Sequence, residues 1–345
     1  MHAEDSCFDA SQWKQLLATF EGIRKTYEYL FLIPQGAERG MKRAVRNGFL
    51  REIVVVSGKG GVGKSSVTAS LAVLLSRAGL KVATVDSDVD APNLSIILGA
   101  DLSDFKDVQA SEKASIDSTK CDACGSCVSA CKIDALIDGK GEPPTLVRFL
   151  CEGCGACALV CAKSAITIQR VRNGRIGIAK TIYGFPIVSG ELEMGESSSG
   201  HIVTAVKARG RALAEDIGCE LVLVDGPPGI GCPVIASVAG ADYALAVTEP
   251  TPAAMNSLDR MLTVLSHFNI PTSIVMNRFD LNREYADKVE DHIRAKWAVG
   301  VAQRIPSDEN VPISLSKRTP VVEYAPDCEA SRSLLALSDL IKDMI

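Results

Sequence analysis

Ten consecutive residues constrain this chain more than any others. Ser57, Gly58, Lys59, Gly60, Gly61, Val62, Gly63, Lys64, Ser65 and Ser66 follow a short apolar run at 53–57 and open a helical pattern over 65–78. The spacing Gly-x-x-x-x-Gly-Lys-Ser between a strand and a helix predicts a phosphate-binding loop. Glycines let consecutive backbone N–H groups wrap phosphate oxygens, and the helix N-terminus adds partial positive charge. Lys64 is placed to reach the β- and γ-phosphates and the Ser65 hydroxyl to ligate Mg²⁺. The expected ligand is ATP with Mg²⁺.

Around this loop the pattern alternates. Apolar runs at 81–86, 221–225, 243–248 and 272–277 read as strands, with a helix pattern at 203–217 and further helices between and after the later strands. Such alternation predicts an α/β fold, a mostly parallel sheet with helices on both faces. A hydrophobic content of 47% with only 5% aromatic residues suits a core built from Ala, Val, Ile and Leu. Residues 101–120 read as a polar stretch. Residues 1–50 stand apart as an N-terminal extension, where Trp13, Leu16, Leu17, Phe20, Ile23, Tyr27, Leu30 and Phe31 recur at helical spacing. Met41 is an alternative start for the chain.

Eight of the twelve cysteines form two copies of Cys-x-x-Cys-x-x-Cys-x-x-x-Cys, thirty residues apart. The first copy is Cys121, Cys124, Cys127 and Cys131, and the second is Cys151, Cys154, Cys157 and Cys161. They occupy a segment, 110–170, that reads as an insertion into one α/β domain made of 51–109 and 171–345. Thiolate is the soft ligand that iron–sulfur clusters require, and zinc, which also uses Cys-x-x-Cys pairs, is the rival occupant. The paired runs resemble the bacterial ferredoxin, a small α+β fold holding two [4Fe–4S] clusters. In that fold the fourth cysteine of each run serves the other cluster. The resemblance therefore implies one cluster on Cys121, Cys124, Cys127 and Cys161, and a second on Cys151, Cys154, Cys157 and Cys131. Lys132 and Ala162 stand where that family usually has proline.

The early lysine of the phosphate loop adds a second resemblance. Lys59 to Ser65 is similar to the deviant P-loop of the MinD/ParA/Mrp family, which includes the nitrogenase iron protein. There the early lysine crosses a dimer interface to the partner's nucleotide, which implies a homodimer with ATP at its interface and a catalytic role for Lys59, beside Lys64. Asp88, in the Asp86–Leu94 segment, resembles the carboxylate that positions the attacking water, and Asp86 the outer shell of Mg²⁺. Asp225 in Leu221–Gly229 resembles the Walker B acid, and the Gly229 amide a γ-phosphate sensor. Asn277 resembles the adenine-contacting asparagine, and Pro306 and Asp308 the base-side loop. The resemblance spans residues 51–100 and 200–345.

Of the remaining cysteines, Cys219 reads as a core residue beside a strand, and Cys7 and Cys328 carry no signal. Cys232 follows the Asp225 segment at a place where the nitrogenase iron protein carries an interfacial cluster cysteine, so it is a candidate ligand between two copies. Residues 195–200 read as a solvated turn. The four histidines are scattered. With 37 Lys and Arg against 42 Asp and Glu, no electrostatic footprint for nucleic acid is expected. No apolar run approaches a membrane span, and the closing stretch 331–345 reads as the last helix of the domain rather than a membrane anchor. Cluster-spaced cysteines and an ATP site together imply a reduced, cytoplasmic setting. Three functions are consistent with these readings. ATP hydrolysis is coupled to electron delivery to a redox partner, or to assembly of a metallocofactor on a client protein, or the chain is a MinD-type positioning ATPase whose clusters are structural or sensory.

Overall fold

The computed structural model describes residues 50–196 and 199–345. The helical pattern at 13–31, Met41, Cys7, Ser197 and Ser198 lie outside them. The phosphate loop joins β1 (Arg51–Ser57) to α1 (Lys64–Arg77), followed by β2 (Val82–Asp86) and the short α2 (Leu94–Ile97). Next come β3 (Ser103–Val108) and β4 (Ser111–Ile116). The cysteine runs lie among α3 (Ser126–Ala130), β5 (Leu136–Ile137), β6 (Thr145–Leu146), α4 (Ala156–Leu159) and β7 (Ile166–Val171). The chain returns through β8 (Gly174–Lys180), β9 (Pro186–Leu192), α5 (Ser199–Asp216), β10 (Leu221–Pro228) and α6 (Cys232–Val238). It finishes with β11 (Tyr243–Thr248), α7 (Pro252–His267), β12 (Thr272–Asn277), α8 (Arg283–Trp297), β13 (Val301–Ile305), α9 (Asn310–Ser316), α10 (Val321–Tyr324) and α11 (Glu329–Met344).

One nine-stranded sheet runs in the order β13-β12-β11-β1-β10-β2-β9-β8-β3. It is parallel from β13 to β9, as the alternating pattern predicts, and antiparallel where β8 joins β9 and β3 joins β8. The central strands carry continuous apolar runs, 53–56 in β1 and 221–224 in β10, because both faces are covered. In β1, Ile53 and Val55 face one core with α1 and α11, while Val54 and Val56 face the other with α5, α7 and α8. The antiparallel edge was not legible as strand. All but the last residue of β3 are exposed, so it shows no apolar alternation and reads only as polar sequence.

The polar stretch before the cysteines thus holds two strands, not one connection. The second of them, β4, pairs antiparallel with β7, from Ser111 opposite Val171 to Ile116 opposite Ile166. This ladder closes the base of the cysteine segment. Leu334, Leu337 and Ile341 of α11 are buried against the sheet, so the closing stretch is spent on the domain core. Among the described residues, no helix is long and apolar enough to cross a membrane.

Candidate functional site: a phosphate loop and a paired cysteine module

The phosphate loop leaves β1 at the carboxyl end of the parallel sheet. There β10 and β11 flank the strand, and a crevice opens for ligands. Gly63 turns the loop into α1 with φ of +95°, a left-handed conformation open to glycine. A Cβ there would also run into Asn277 Nδ2, which donates instead to the Val62 carbonyl at 2.8 Å. Asn277 thus braces the loop from the end of β12. Gly58 lies against the Ser257 carbonyl of α7, and the Gly229 amide donates to the Ser57 carbonyl at 2.9 Å.

Below the loop, opposite charges meet out of water. Lys64 Nζ donates to Asp225 Oδ1 at 2.9 Å, and Thr68 Oγ1 donates to the same oxygen at 2.9 Å. Asp225 Oδ2 is buried with no partner. Parallel pairing sets Asp225 of β10 beside Asp86 of β2. Asp86 accepts the Asp88 and Leu94 amides, and its pKa is pushed up to about 8, first by burial and then by the Asp225 charge. Asp88 is also raised, chiefly by burial. Two acids share a dry pocket with one free oxygen between them. That donor set fits a hard divalent cation such as Mg²⁺, which binds oxygen ligands.

A cavity of about 920 Å³ opens above this pair. Gly60, Gly61, Gly63, Lys64, Ser65, Ser66 and Asp88 line one end, Asn277 the middle, and Pro306 and Asp308 the far end. Asp225, Asp86 and Gly229 stand behind its wall. Asp308 lines the cavity but is already engaged: its carboxylate accepts the Asn310 amide at 2.9 Å and the Ala330 amide at 3.3 Å. It pins α9 and α11 together and leaves the apolar wall, including Ile305 and Leu334, facing the space. Lys59 is not among the residues that line the cavity. Its Nζ lies 2.7 Å from Glu249, a buried carboxylate that also faces Arg278 at 3.5 Å. Arg278 donates to the Gly61 carbonyl. Neither Glu249 nor Arg278 was singled out from sequence, since neither sits in a motif. A residue following Asn277 was the nearest available signal.

The cysteine segment repeats itself in three dimensions. Ala123 and Gly125 have φ of +57° and +74°, and their counterparts thirty residues on, Gly153 and Gly155, have +67° and +80°. Each loop then starts a short helix, α3 or α4. The Ala135 amide donates to Cys131 Sγ at 3.3 Å, and the Ala165 amide donates to Cys161 Sγ at 3.3 Å. Cys131, Cys151, Cys154 and Cys157 line one common cavity with apolar neighbours that include Ala114 and Ile168. Cys127, Cys151 and Cys157 are buried, and burial pushes the thiols of Cys127 and Cys157 up. Among the described residues, no group of three or more His, Cys, Asp or Glu is arranged to hold a single metal ion.

The other cysteines are scattered. Cys219 is half-buried against the core on the α5 side, and Cys328 caps α11 by accepting the Ser331 amide. Cys232 is exposed at the first residue of α6. Glu196 departs from the reading of 195–200 as a solvated turn, while Gly195 is an exposed turn residue. The Glu196 side chain is 9% exposed and lies 3.1 Å from the buried Lys113 of β4. Long-range packing recruits it, and nothing in the local polar sequence reveals that.

A glycine-rich cradle at the carboxyl end of a parallel sheet, with a buried lysine and two acids beneath it, defines a P-loop nucleotide-binding protein with an ATPase fold. Residues 53–321 match the family described as the CobQ/CobB/MinD/ParA nucleotide binding domain, and the chain belongs to that family. It is 34% identical over 299 residues, 86% of this chain and 99% of the other, to the uncharacterized protein MJ0578 of Methanocaldococcus jannaschii. It is 24% identical to a putative septum site-determining protein MinD of Nephroselmis olivacea, over 79% of this chain and 80% of that one. In fold it is similar to the Pyrococcus horikoshii MinD complexed with Mg-ADP. That match has a TM-score of 0.52 at 20% identity and covers 86% of this chain and 97% of that one.

Proposed function

We infer that this chain is an ATP-hydrolysing iron–sulfur protein, a nucleotide-gated dimer that couples hydrolysis to electron delivery or to assembly of a metallocofactor. The phosphates seat on the 58–66 loop. Lys64 leaves Asp225 for the β- and γ-phosphates, which frees Asp225, with Asp86 and Ser65, for Mg²⁺. Bound there, Mg²⁺ neutralises charge on the phosphate oxygens. Asp88, at the cavity wall, orients the attacking water. Asn277 and the apolar wall near Pro306 hold the base. Lys59 leaves Glu249 and reaches across to the nucleotide of a second copy.

The iron–sulfur half rests above all on the internal symmetry of the module. Two loops thirty residues apart carry left-handed residues, helix starts and N–H···S bonds at matching positions. Cys131 joins the three leading cysteines of the other run around one cavity, the exchange that the ferredoxin resemblance implies. The module's core supports the same reading. It is seven buried residues, three of them cysteines. A segment of this size with so lean a core needs a staple. The clusters, when bound, supply one-electron redox chemistry. The residues around them exclude water and donate N–H groups to the thiolates. Lys132, beside Cys131, adds positive charge there.

Anaerobic purification with iron and sulfide counting tests this reading. Eight irons per chain and ATP hydrolysis that changes with redox state are expected. Zinc in place of iron, or equal turnover in both redox states, overturns the coupling. The family match to MinD favours a second reading, a positioning ATPase with structural clusters, in which turnover responds to a partner protein and not to reduction.

A further inference from the structure

Lys113 and Glu196 are both charged and both nearly dry, at 3% and 9% side-chain exposure. Their charged atoms stand 3.1 Å apart, as an ion pair and not an aligned hydrogen bond. Lys113 Nζ also donates to the Cys151 carbonyl at 2.9 Å, and the next amide, Ala114 N–H, donates to Cys151 Sγ at 3.4 Å. Strand β4 therefore grips the Cys151 loop and sets a desolvated cation beside it. Packing alone does not call for this arrangement, because taking a pair of charges out of water is costly before any attraction returns it.

Glu196 belongs to the segment entering α5, not to the cysteine module. Gly200, four residues on, lies backbone to backbone with Cys232, where a Cβ would come 3.4 Å from the Cys232 carbonyl oxygen. Farther along α5, Lys207 donates to the carbonyls of Ser237 and Ala239, 2.5 and 2.8 Å away, and pairs with Glu52 of β1 at 2.8 Å. Helix α6 follows Gly229, whose amide is bonded to Ser57 at the mouth of the phosphate loop. Contacts thus join the phosphate loop to α6 and α6 to α5, and others join Glu196 to Lys113 and Lys113 to Cys151; residues 197 and 198, which connect Glu196 to α5 along the chain, lie outside the described residues.

We propose that Lys113 and Glu196 set the reduction potential of the cluster held by Cys151, and that nucleotide at the phosphate loop acts on that cluster by moving Glu196 through α6 and α5. The proposal rests on the cluster reading above. A buried cation favours the more negative, reduced cluster, and a facing carboxylate opposes it. Withdrawing Glu196 therefore raises the potential. By linkage, reduction of that cluster changes affinity for nucleotide by the same factor.

The test is a dithionite titration of the anaerobically purified protein, followed by electron paramagnetic resonance, with and without β,γ-imido-ATP. Lys113→Met lowers and Glu196→Gln raises the potential of one cluster, each by tenfold in the equilibrium constant, about 59 mV for one electron. The other cluster stays put, and Lys113→Arg keeps the wild-type value. The nucleotide analogue shifts the wild type but not Glu196→Gln. The doubly neutral Lys113→Met/Glu196→Gln protein leaves no buried lone charge to disturb folding; it returns near the wild-type potential without a nucleotide response. Eight irons per chain with unmoved potentials overturns the proposal and leaves the cluster reading intact. Shifts on substitution with no analogue effect overturn the coupling. A chain without iron overturns both.

Discussion

At the scale of single residues, the chemistry is set by burial. Asp86 sits in a dry pocket beside Asp225, and its pKa of about 8 lies above the unfolded value of about 3.9. The native protein therefore holds a proton that the unfolded chain has released, and stability falls as pH rises through that window. In nucleotide-free protein with a chelator, the wild-type melting temperature should drop more steeply between pH 5 and 8 than that of Asp86→Asn. Parallel curves in a pH series of thermal melts would contradict the assignment. Lys64→Ala leaves Asp225 without its cation and removes a phosphate ligand. Loss of ATP hydrolysis by at least about a hundredfold is expected, since such electrostatic stabilisation carries rates of that order. A phosphate-release assay decides it.

At the scale of elements, helix α11 and the β4–β7 ladder make opposite contributions. Leu337 is fully buried where α11 packs on the sheet, so Leu337→Ala should cost about 2–5 kcal/mol, read by urea denaturation. Loss below about 1 kcal/mol would mean the helix is not part of the cooperative core. The β4–β7 ladder is different. It carries few buried side chains and closes the cysteine segment, so on the proposed cluster reading its order depends on the bound clusters. If that reading holds, chelation under oxidising conditions opens residues 111–171 to limited proteolysis while nucleotide binding survives. Mass spectrometry of the fragments locates the cuts, and cuts spread evenly over the chain would speak against a separately stapled segment.

For the molecule as a whole, much was legible in the sequence, and unevenly. Strand–loop–helix order around Lys64 was readable because strand, turn and helix each have a local signature. The central strands were readable because double-sided burial makes them continuous apolar runs. Strands β3, β8 and β9 were not, since an exposed or glycine-containing edge lacks that alternation. The two cysteine runs announced a repeated unit by spacing alone. Their partners did not: Lys113 and Glu196 are 83 positions apart in sequence and look like any surface charges. Glu249, which holds Lys59 at 2.7 Å, was hidden for the same reason. Asp308 was visible as a candidate, but only packing reveals that α9 and α11 occupy its carboxylate.

The sequence by itself determined the phosphate loop, the mostly parallel α/β class and the presence of two matching cysteine runs, because backbone geometry and residue spacing are local properties. Tertiary structure decided which charges lose water. It placed Asp86 against Asp225, folded Lys59 onto Glu249, and buried Lys113 with Glu196 beside Cys151. Desolvation depends on everything that surrounds a group, and segments far apart in the chain supply those surroundings.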